Sequence, residues 1–587
     1  MEKKILSERF EIRMRDGVNL ATFIYQTEET AAHLMDASVS APYCLFIRTD
    51  YWNDDCLRGE FEWEDTLYER LISDGWVVMV QLVRGQGESG GVFAPYTQEI
   101  NDSKDAMDWL GHHEPYRYLR YVLYGKQYSG QCALYAAVHA GVRPEIVGLV
   151  CGSISTDMRE WGLCTGGVLN GIAVAQALDW AIGDESKSVT SYSPCQYWHA
   201  GVSPLSPRPE IERWFLEMQK HCGEQHFWEH DCYRIDISNI MHPHILAFFF
   251  CPWSDPFCPG TIAAYEQLNA TCIHRPQINI MEGDDYVQDD DTYAWLHTVF
   301  PAADSTEKKP LLNDDALQNN YNIARFSDDI VIEYKAATFH RFDEVEPRVL
   351  YLGDGTLTAS LPPKRNDEVA LFSLFQHDPH DEYINARGEY MFRFSEIGER
   401  DPYWLVSNMP YCAVFVAPPL VHDSLILGNP RLRMWVSSNR ADATFVVRLV
   451  ARLPQVHWQQ NVDFNLSYGV KRISAQLASA GRPPLADSGV TPAGAEEPVA
   501  LDITLRPLGV MLEAGVQLHL EVTSSDYPRF ITPVNALPMN NTPAPFLPAV
   551  NTIYHSRNYP SRLWLPISDY TLPEKTRYDE QPEVLNF

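Results

Sequence analysis

Residues 121–137 contain a short turn whose central polar side chain, Gln127, occupies a position at which enzymes carry a nucleophile. The apolar run Tyr121–Tyr124 predicts a strand, and the run Cys132–Ala137 predicts a helix. Between them lies the turn Gly-Lys-Gln-Tyr-Ser-Gly, in which small residues stand two positions before and two positions after Gln127. This spacing is that of a nucleophile elbow, a tight strand-to-helix turn that exposes its central side chain.

The central side chain of this turn is an amide, which cannot be deprotonated to attack a carbonyl. Centring the turn on Ser129 instead fails, because its flanking positions then become Gln127 and Gln131. Two interpretations of Gln127 stay open. It is either a polar residue tolerated at an exposed turn after selection for hydrolysis lapsed, or a ligand-binding amide with one acceptor and two donors.

The bulk composition is typical of a soluble globular protein, with 45% hydrophobic and 21% charged residues. A net charge of −32 argues against nucleic acid and anionic membranes as partners, because the attraction to phosphate is missing. The N-terminus does not resemble a signal peptide, no apolar run of about 18 residues occurs, and the 12 cysteines form no C-x-x-C pair. We therefore expect a cytoplasmic protein with reduced cysteines and a small-molecule substrate, either monomeric or homodimeric.

Secondary-structure signals divide the chain into three kinds of segment. Alternating strand and helix patterns over residues 1–151 and 244–320 predict an α/β domain, in which helices cover both faces of a parallel sheet. The aromatic-rich helical pattern over 152–243 predicts a cap inserted into that domain. From 321 to 587, strand-like runs punctuated by Pro and Gly predict a β-sandwich of the jelly-roll type, with a long flexible loop at 474–500.

Several motifs occur in a fixed order along the chain, at Arg48–Tyr51, Asp74–Trp76, Arg84–Gly91, Ala417–Leu420, Trp435–Ser438, Val522–Arg529 and Pro560–Leu563. They resemble those of the CocE/NonD hydrolases, the family of cocaine esterase, X-prolyl dipeptidyl aminopeptidase and α-amino-acid ester hydrolase. The resemblance covers essentially the whole chain. It implies an α/β-hydrolase domain with a helical cap and a C-terminal jelly roll, consistent with the segments above.

The resemblance also implies positions for a catalytic site. The family's oxyanion hole combines a tyrosine hydroxyl with the amide after the nucleophile, which correspond here to Tyr51 and Tyr128. The acid of the Ser–His–Asp triad corresponds to Asp255. The histidine position falls on Asp285, or alternatively on Asp284, within the sequence Gly-Asp-Asp-Tyr. Both the serine and the histidine of the triad are therefore expected to be replaced.

Other residues are expected to contact a ligand rather than to react with it. Phe257 resembles a pocket-wall aromatic of the family, and Gln127 is placed at the pocket floor. The substrate-binding residues are thus predicted to be Gln127, Trp52, Phe257, Asp284 and Trp161.

The loss of nucleophile and base removes covalent acyl transfer, because the acid of a triad only orients the base. If Asp285 lies buried beside Asp255, their repulsion and desolvation raise one pKa and create an acid/base pair near neutral pH. Alternatively, Asp285 belongs to an exposed acidic loop that continues through residues 289–291. A cation site there is disfavoured, since the spacing and glycine of a calcium loop are absent, and we expect neither metal nor cofactor.

Three functions remain open. The leading hypothesis is an enzyme of specialised metabolism that performs a cyclisation, elimination, isomerisation or decarboxylation, using the oxyanion donors and carboxylate acid/base groups. The second is a non-catalytic protein that binds a small molecule. The third is a hydrolase of esters or amides in which Asp285 activates water directly.

Overall fold

The computed structural model describes most of the chain, and all elements and contacts below belong to these residues. The described residues are 4–34, 41–50, 67–141, 143–171, 173, 176–177, 180, 208–240, 244–253, 255–281, 285–300, 320–326, 333–337, 345–362, 372–377, 400–401, 412–453, 462–482, 498–524, 526, 529–531 and 549–569. Three predicted site residues, Tyr51, Trp52 and Asp284, lie outside them.

The helices lie mainly in the first half of the chain. Their bounds are α1 (Glu28–Leu34), α2 (Leu67–Ser73), α3 (Glu99–His112), α4 (Gln127–His139), α5 (Pro209–His221), α6 (Cys258–Asn269), α7 (Asp285–Val299) and α8 (Ile473–Ser479).

The strands of the first part alternate with these helices. Their bounds are β1 (Ile5–Arg13), β2 (Asn19–Thr27), β3 (Tyr43–Thr49), β4 (Val77–Leu82), β5 (Arg120–Lys126), β6 (Ile146–Gly152), β7 (Cys164–Thr165), β8 (Val168–Asn170), β9 (Leu246–Pro252), β10 (Gln277–Met281), β11 (Asn320–Phe326) and β12 (Glu333–Ala337).

Strands dominate the remainder of the chain. Their bounds are β13 (Arg348–Leu352), β14 (Leu357–Thr358), β15 (Phe372–His377), β16 (Arg400–Asp401), β17 (Ala413–Val416), β18 (Ser424–Gly428), β19 (Arg431–Ser438), β20 (Thr444–Leu453), β21 (Val462–Arg472), β22 (Val499–Thr504), β23 (Leu508–Leu512), β24 (Gln517–Thr523), β25 (Phe530–Ile531), β26 (Ala549–Tyr554), β27 (Arg562–Leu565) and β28 (Ile567–Asp569).

The central sheet has the strand order β1-β2-β4-β3-β5-β6-β9-β10-β11-β23-β18-β28. From β4 to β11 neighbouring strands pair in parallel, whereas β1 and β2 add an antiparallel edge. These parallel strands are nearly continuous buried runs, as β4 shows, because helices cover both faces of the sheet. Successive side chains of a strand therefore pack on opposite faces of the sheet. Phe46 packs in the hydrophobic cluster that contains Leu134 of α4, whereas Leu45 packs in the cluster that contains Leu296 of α7.

Apart from the short helix α8, the elements of the C-terminal part are strands, most of which form two antiparallel sheets. One has the order β14-β13-β27-β19-β26-β15, with β22 paired to β19, and the other has the order β16-β21-β20-β24-β17. Strands β23, β18 and β28 of this part instead extend the central sheet beyond β11. The predicted fold class, an α/β-hydrolase sheet with a C-terminal β-sandwich, is confirmed.

Two local elements differ from the sequence predictions. Within the segment expected to be a helical cap, β7 and β8 form a short hairpin that β25 extends. Within the expected loop at 474–500, residues up to Ser479 continue α8, whose buried side chains Ile473, Ala475 and Leu477 fix it to the domain. A helix this short is stabilised mainly by the packing of its buried side chains, which a composition rich in Ser and Ala does not reveal. In the described part of the chain, no helix has the length and apolar character required to cross a membrane.

Candidate active site

The predicted site residues follow strands that are neighbours in the central sheet. Ile47 of β3 pairs with Tyr124 of β5, so Asp50 and Gln127 each lie three residues beyond this pair. Strand β6 pairs next to β5, β9 next to β6, and β10 next to β9. Asp255 follows β9 and Asp285 follows β10. All four residues therefore lie at the carboxyl edge of the sheet, where open α/β folds bind their ligands.

The turn between β5 and α4 has the geometry of an elbow. Gln127 has φ +50°, a left-handed conformation that few non-glycine residues adopt. A Cβ on Gly125 would lie 2.2 Å from the carbonyl carbon of Ser129, and a Cβ on Gly130 would lie 2.8 Å from the oxygens of Gly125 and Gly152. The turn is thus too tight for side chains at these two glycines, and the exposed Gln127 occupies its apex.

Helix α4 begins at Gln127, so the amide of Tyr128 belongs to the first turn of a 13-residue helix. The first four N–H groups of an α-helix have no partner within the helix, and the helix dipole makes this end attractive to negative charge. The backbone position of Tyr128 is therefore compatible with the predicted role of its amide as an oxyanion donor.

The side chain of Tyr128 has a different role. It is buried, and its hydroxyl donates a short hydrogen bond to Oε1 of Glu99, the first residue of α3. The rings of Phe93, Tyr96 and Trp180 pack around it with centroid separations of 5.0–5.8 Å. Tyr128 thus contributes its amide to the site and its ring to the core beneath it.

Glu99 is a buried carboxyl group that motif reasoning did not identify. Burial raises its pKa from 4.5 to about 7, although the hydrogen bond from Tyr128 partly opposes this shift. An acid with this pKa changes charge near neutral pH, directly under the elbow. The signal in the sequence was slight, since an acidic residue in the first turn of a helix is ordinary.

Asp50 is a second carboxyl group that was not predicted. It directly follows β3, and its Oδ2 accepts a hydrogen bond of 2.6 Å from the indole Nε1 of Trp180. Burial raises the pKa of Asp50, and the hydrogen bond from Trp180 opposes that shift. Because Trp180 belongs to the cap segment, this contact joins the cap to the floor of the site.

The Asp255 turn is held by its own backbone and by the C-terminal domain. Asp255 is 5% exposed, and its Oδ1 accepts a 2.7 Å hydrogen bond from the amide of Phe257. Arg506, which follows β22, donates to the carbonyl oxygens of Trp253, at 3.0 Å, and of Asp255. The C-terminal domain therefore fixes the backbone that carries the predicted triad acid.

Asp285 is the first residue of α7, one helical turn before Asp289. Lys126 Nζ lies 2.7 Å from Oδ1 of Asp289, so the residue next to Gln127 is joined to this helix. The position of the Asp285 backbone supports the expectation that this residue lies near the elbow.

Residues 289–291 do not form an exposed acidic loop, because they lie within α7 and each has a partner. Asp289 pairs with Lys126, Asp290 with Arg70 at 2.5 Å, and Asp291 accepts a 2.6 Å hydrogen bond from Asn279. These three neighbours come from other elements of the sheet domain. Among the described residues, no cluster of His, Cys, Asp and Glu could hold a metal ion.

Two predicted pocket residues lie close to the Asp255 turn. Phe257 is buried directly after it and begins the approach to α6. Trp161 lines a cleft with Pro256 and, from the C-terminal domain, Tyr468, Arg506 and Phe530. The structure thus places Trp161 between the cap and the C-terminal domain, on the side of the turn that Arg506 occupies.

Two family models match the chain. The model of X-Pro dipeptidyl-peptidase (S15 family) matches residues 16–283. The model of the X-Pro dipeptidyl-peptidase C-terminal non-catalytic domain matches residues 342–564. Together they cover the elbow, the Asp255 turn and the C-terminal sandwich.

Individual proteins are similar along nearly the whole chain. Cocaine esterase from Rhodococcus sp. (strain MB1 Bresler) is 21% identical over 599 residues, covering 95% of this chain and 97% of the esterase. An aminopeptidase from the marine sediment archaeon Thaumarchaeota archaeon has a TM-score of 0.74 at 16% identity, covering 96% and 97% of the two chains. A CocE/NonD family hydrolase from Staphylococcus aureus has a TM-score of 0.65 at 16% identity, covering 96% and 94%. The fold and the family matches together establish that this chain belongs to the CocE/NonD hydrolase family, with the X-Pro dipeptidyl-peptidase (S15) architecture.

Proposed function

We propose that this protein is an enzyme that uses the hydrolase scaffold without a serine nucleophile. Its Ser–His pair is replaced by Gln127 and Asp285, and it performs a non-hydrolytic cyclisation, elimination, isomerisation or decarboxylation of a specialised small molecule. Nucleic acid and membranes are not its partners in this proposal.

The observation that carries the proposal is the conformation of Gln127. A non-glycine residue in a sparsely populated backbone region costs on the order of 1–3 kcal/mol, and such residues concentrate at functional sites. Gln127 keeps φ +50° at the apex of a turn whose glycines allow that close packing. A turn without a function would not be selected to keep a strained backbone conformation. The conformation therefore favours a role for the Gln127 amide in binding a ligand at the pocket floor.

The arrangement suits proton transfer at a carbon next to a carbonyl group. A carboxylate removes the proton, and the electron pair moves onto the carbonyl oxygen to give an enolate. The amide of Tyr128, at the start of α4, stabilises that oxygen, as oxyanion holes do. Asp50, Asp255 and Asp285 follow strand ends at the same edge and are the available acid/base groups.

A second candidate is hydrolysis by direct attack of water, which the S15 family match favours. It requires the same oxyanion donor, with an aspartate that activates water. The two reactions differ in their products and in the bond that changes, so they are separable by experiment.

The test is deuterium exchange followed by NMR. Small ketones, β-keto acids and carboxylic esters are incubated with the protein in D₂O, beside an Asp285→Asn variant and an Asp290→Asn control on the same helix. We expect the wild type and the control to introduce deuterium next to the carbonyl group, and Asp285→Asn to be slower by about 100- to 10,000-fold. Ester cleavage without exchange would favour water attack, and saturable binding without either reaction would favour a non-catalytic binding protein.

A further inference from the structure

Glu99 connects two parts of the site, the elbow that follows β5 and the end of β3. It is 3% exposed and begins α3, beside β3 and α4. Its Oε1 accepts the hydrogen bond from Tyr128, and its Oε2 accepts a 3.0 Å hydrogen bond from the amide of Gln98. One carboxylate oxygen is therefore engaged by the residue whose amide forms the oxyanion site.

The backbone of Glu99 contacts the end of β3. Its carbonyl oxygen accepts a 3.0 Å hydrogen bond from Nη1 of Arg48, which also contacts Ser103 Oγ at 2.5 Å. Nε of Arg48 donates to Gln81 at 2.9 Å. Arg48 is buried and lies two residues before Asp50 on the same strand end. Glu99 thus links the β3 strand end to the elbow.

The surroundings of Glu99 contain little positive charge. Arg48 is the cation that faces it. Asp102, on the same helix, forms an ion pair with Arg84, with 2.6 Å between Oδ1 and Nη2. The other titratable groups near it are the uncharged side chains Tyr96, Tyr128, Cys132, Tyr135, Cys232 and Tyr233. A negative charge on Glu99 is consequently weakly compensated and poorly screened by solvent.

We propose that Glu99 is a positioning residue that sets the electrostatic potential of the oxyanion site: the neutral acid permits negative charge on a ligand at the Tyr128 amide, and the carboxylate opposes it. This inference rests on the proposed oxyanion site and states what regulates the affinity of that site for negative charge. Since burial brings the pKa of Glu99 to about 7, anion binding and enolate formation weaken as pH rises through neutrality.

The first measurement uses 2,4-dinitrophenolate, a phenolate that stays ionised between pH 5.5 and 8.5 and imitates an enolate oxygen. Its affinity is followed by visible absorbance for the wild type, Glu99→Gln, Glu99→Asp and the exposed control Glu88→Gln. We expect the wild type and the control to lose roughly tenfold or more in affinity from pH 6 to pH 8. Glu99→Gln holds the high affinity at both pH values, and Glu99→Asp restores a pH dependence.

The second measurement needs no ligand. The amide signal of Tyr128 is observed in ¹⁵N-tyrosine-labelled protein and assigned by its loss in Tyr128→Phe. We expect its chemical shift to titrate near pH 7 in the wild type and to be constant in Glu99→Gln. An amide that does not titrate, or a phenolate affinity whose pH dependence survives in Glu99→Gln, overturns the role of Glu99. A titrating amide without any phenolate binding instead contradicts the oxyanion site and hence the proposed function.

Discussion

Lys126 and Asp289 form an ion pair of 2.7 Å between the elbow and α7. The side chains are separated by more than 160 residues in the chain, and both are largely buried, at 24% and 19% exposure. Because Lys126 adjoins Gln127 and α7 begins at Asp285, the pair joins the elbow to the helix that starts at the expected base position.

Removal of this pair is expected to lower the stability of the protein. Asp289→Asn removes the carboxylate that pairs with a largely buried lysine, so we expect a loss of about 1–3 kcal/mol in the free energy of unfolding. Asp290→Asn removes an exposed partner, whose side chain is 73% accessible, and should cost about 0–1 kcal/mol. Urea denaturation of the two variants measures the difference, and equal losses would show that the Lys126–Asp289 pair contributes no more to stability than the exposed pair.

Glu99 is expected to make stability depend on pH. Its proton is bound more tightly in the folded protein, with a pKa of about 7, than in the unfolded chain, where 4.5 is ordinary. The stabilisation is therefore fully present below about 4.5 and is lost as pH rises through about 7, by about 3 kcal/mol. Denaturation at pH 5 and pH 8 should show this loss in the wild type and not in Glu99→Gln. An identical loss in both proteins would show that Glu99 does not titrate in this range.

The conformation of Gln127 is expected to appear in the stability of its variants. Gln127→Gly accepts φ +50° without steric cost and should be at least as stable as the wild type. Gln127→Val places a β-branched side chain in the same conformation and should lose about 1–2 kcal/mol. The side chain is exposed, so loss of contacts contributes little to either value. Equal stability of the two variants would mean that the turn relaxes.

Restoring the serine alone is not expected to restore esterase activity. Gln127→Ser lacks a base to take the proton of the hydroxyl, and members of a triad act as a unit. The double variant Gln127→Ser with Asp285→His is the smallest repair that supplies nucleophile and base. Hydrolysis of 4-nitrophenyl esters measures both. Rapid turnover by Gln127→Ser alone would show that the base lies elsewhere.

Local features of this site were predictable from the sequence, because the strand, the tight turn and the helix are adjacent in the chain. The spacing of small residues around Gln127 is sufficient to predict an elbow, and the structure has it. The position of Asp255 after a buried strand is a similar local signal, although the constraint from Arg506 is not, since it arrives from about 250 residues later.

Contacts over long separations were not predictable. The hydrogen bond to Asp50 comes from Trp180, which is 130 residues away, and the hydrogen bond between Tyr128 and Glu99 depends on how α3 packs on α4. The alternative of an exposed acidic loop through residues 289–291 was wrong for the same reason. Each of those aspartates has a polar or basic partner on another element, and a run of like charges gives no sign of such partners.

The elbow is predicted to form no covalent intermediate, and labelling with a fluorophosphonate tests this most directly. The protein is incubated with the probe beside an active serine esterase, and both are measured by intact-protein mass spectrometry and peptide mapping. We predict complete labelling of the esterase and no adduct on this protein, because the apex of its elbow is Gln127. Stoichiometric labelling of any serine at the carboxyl edge of the sheet would contradict the account.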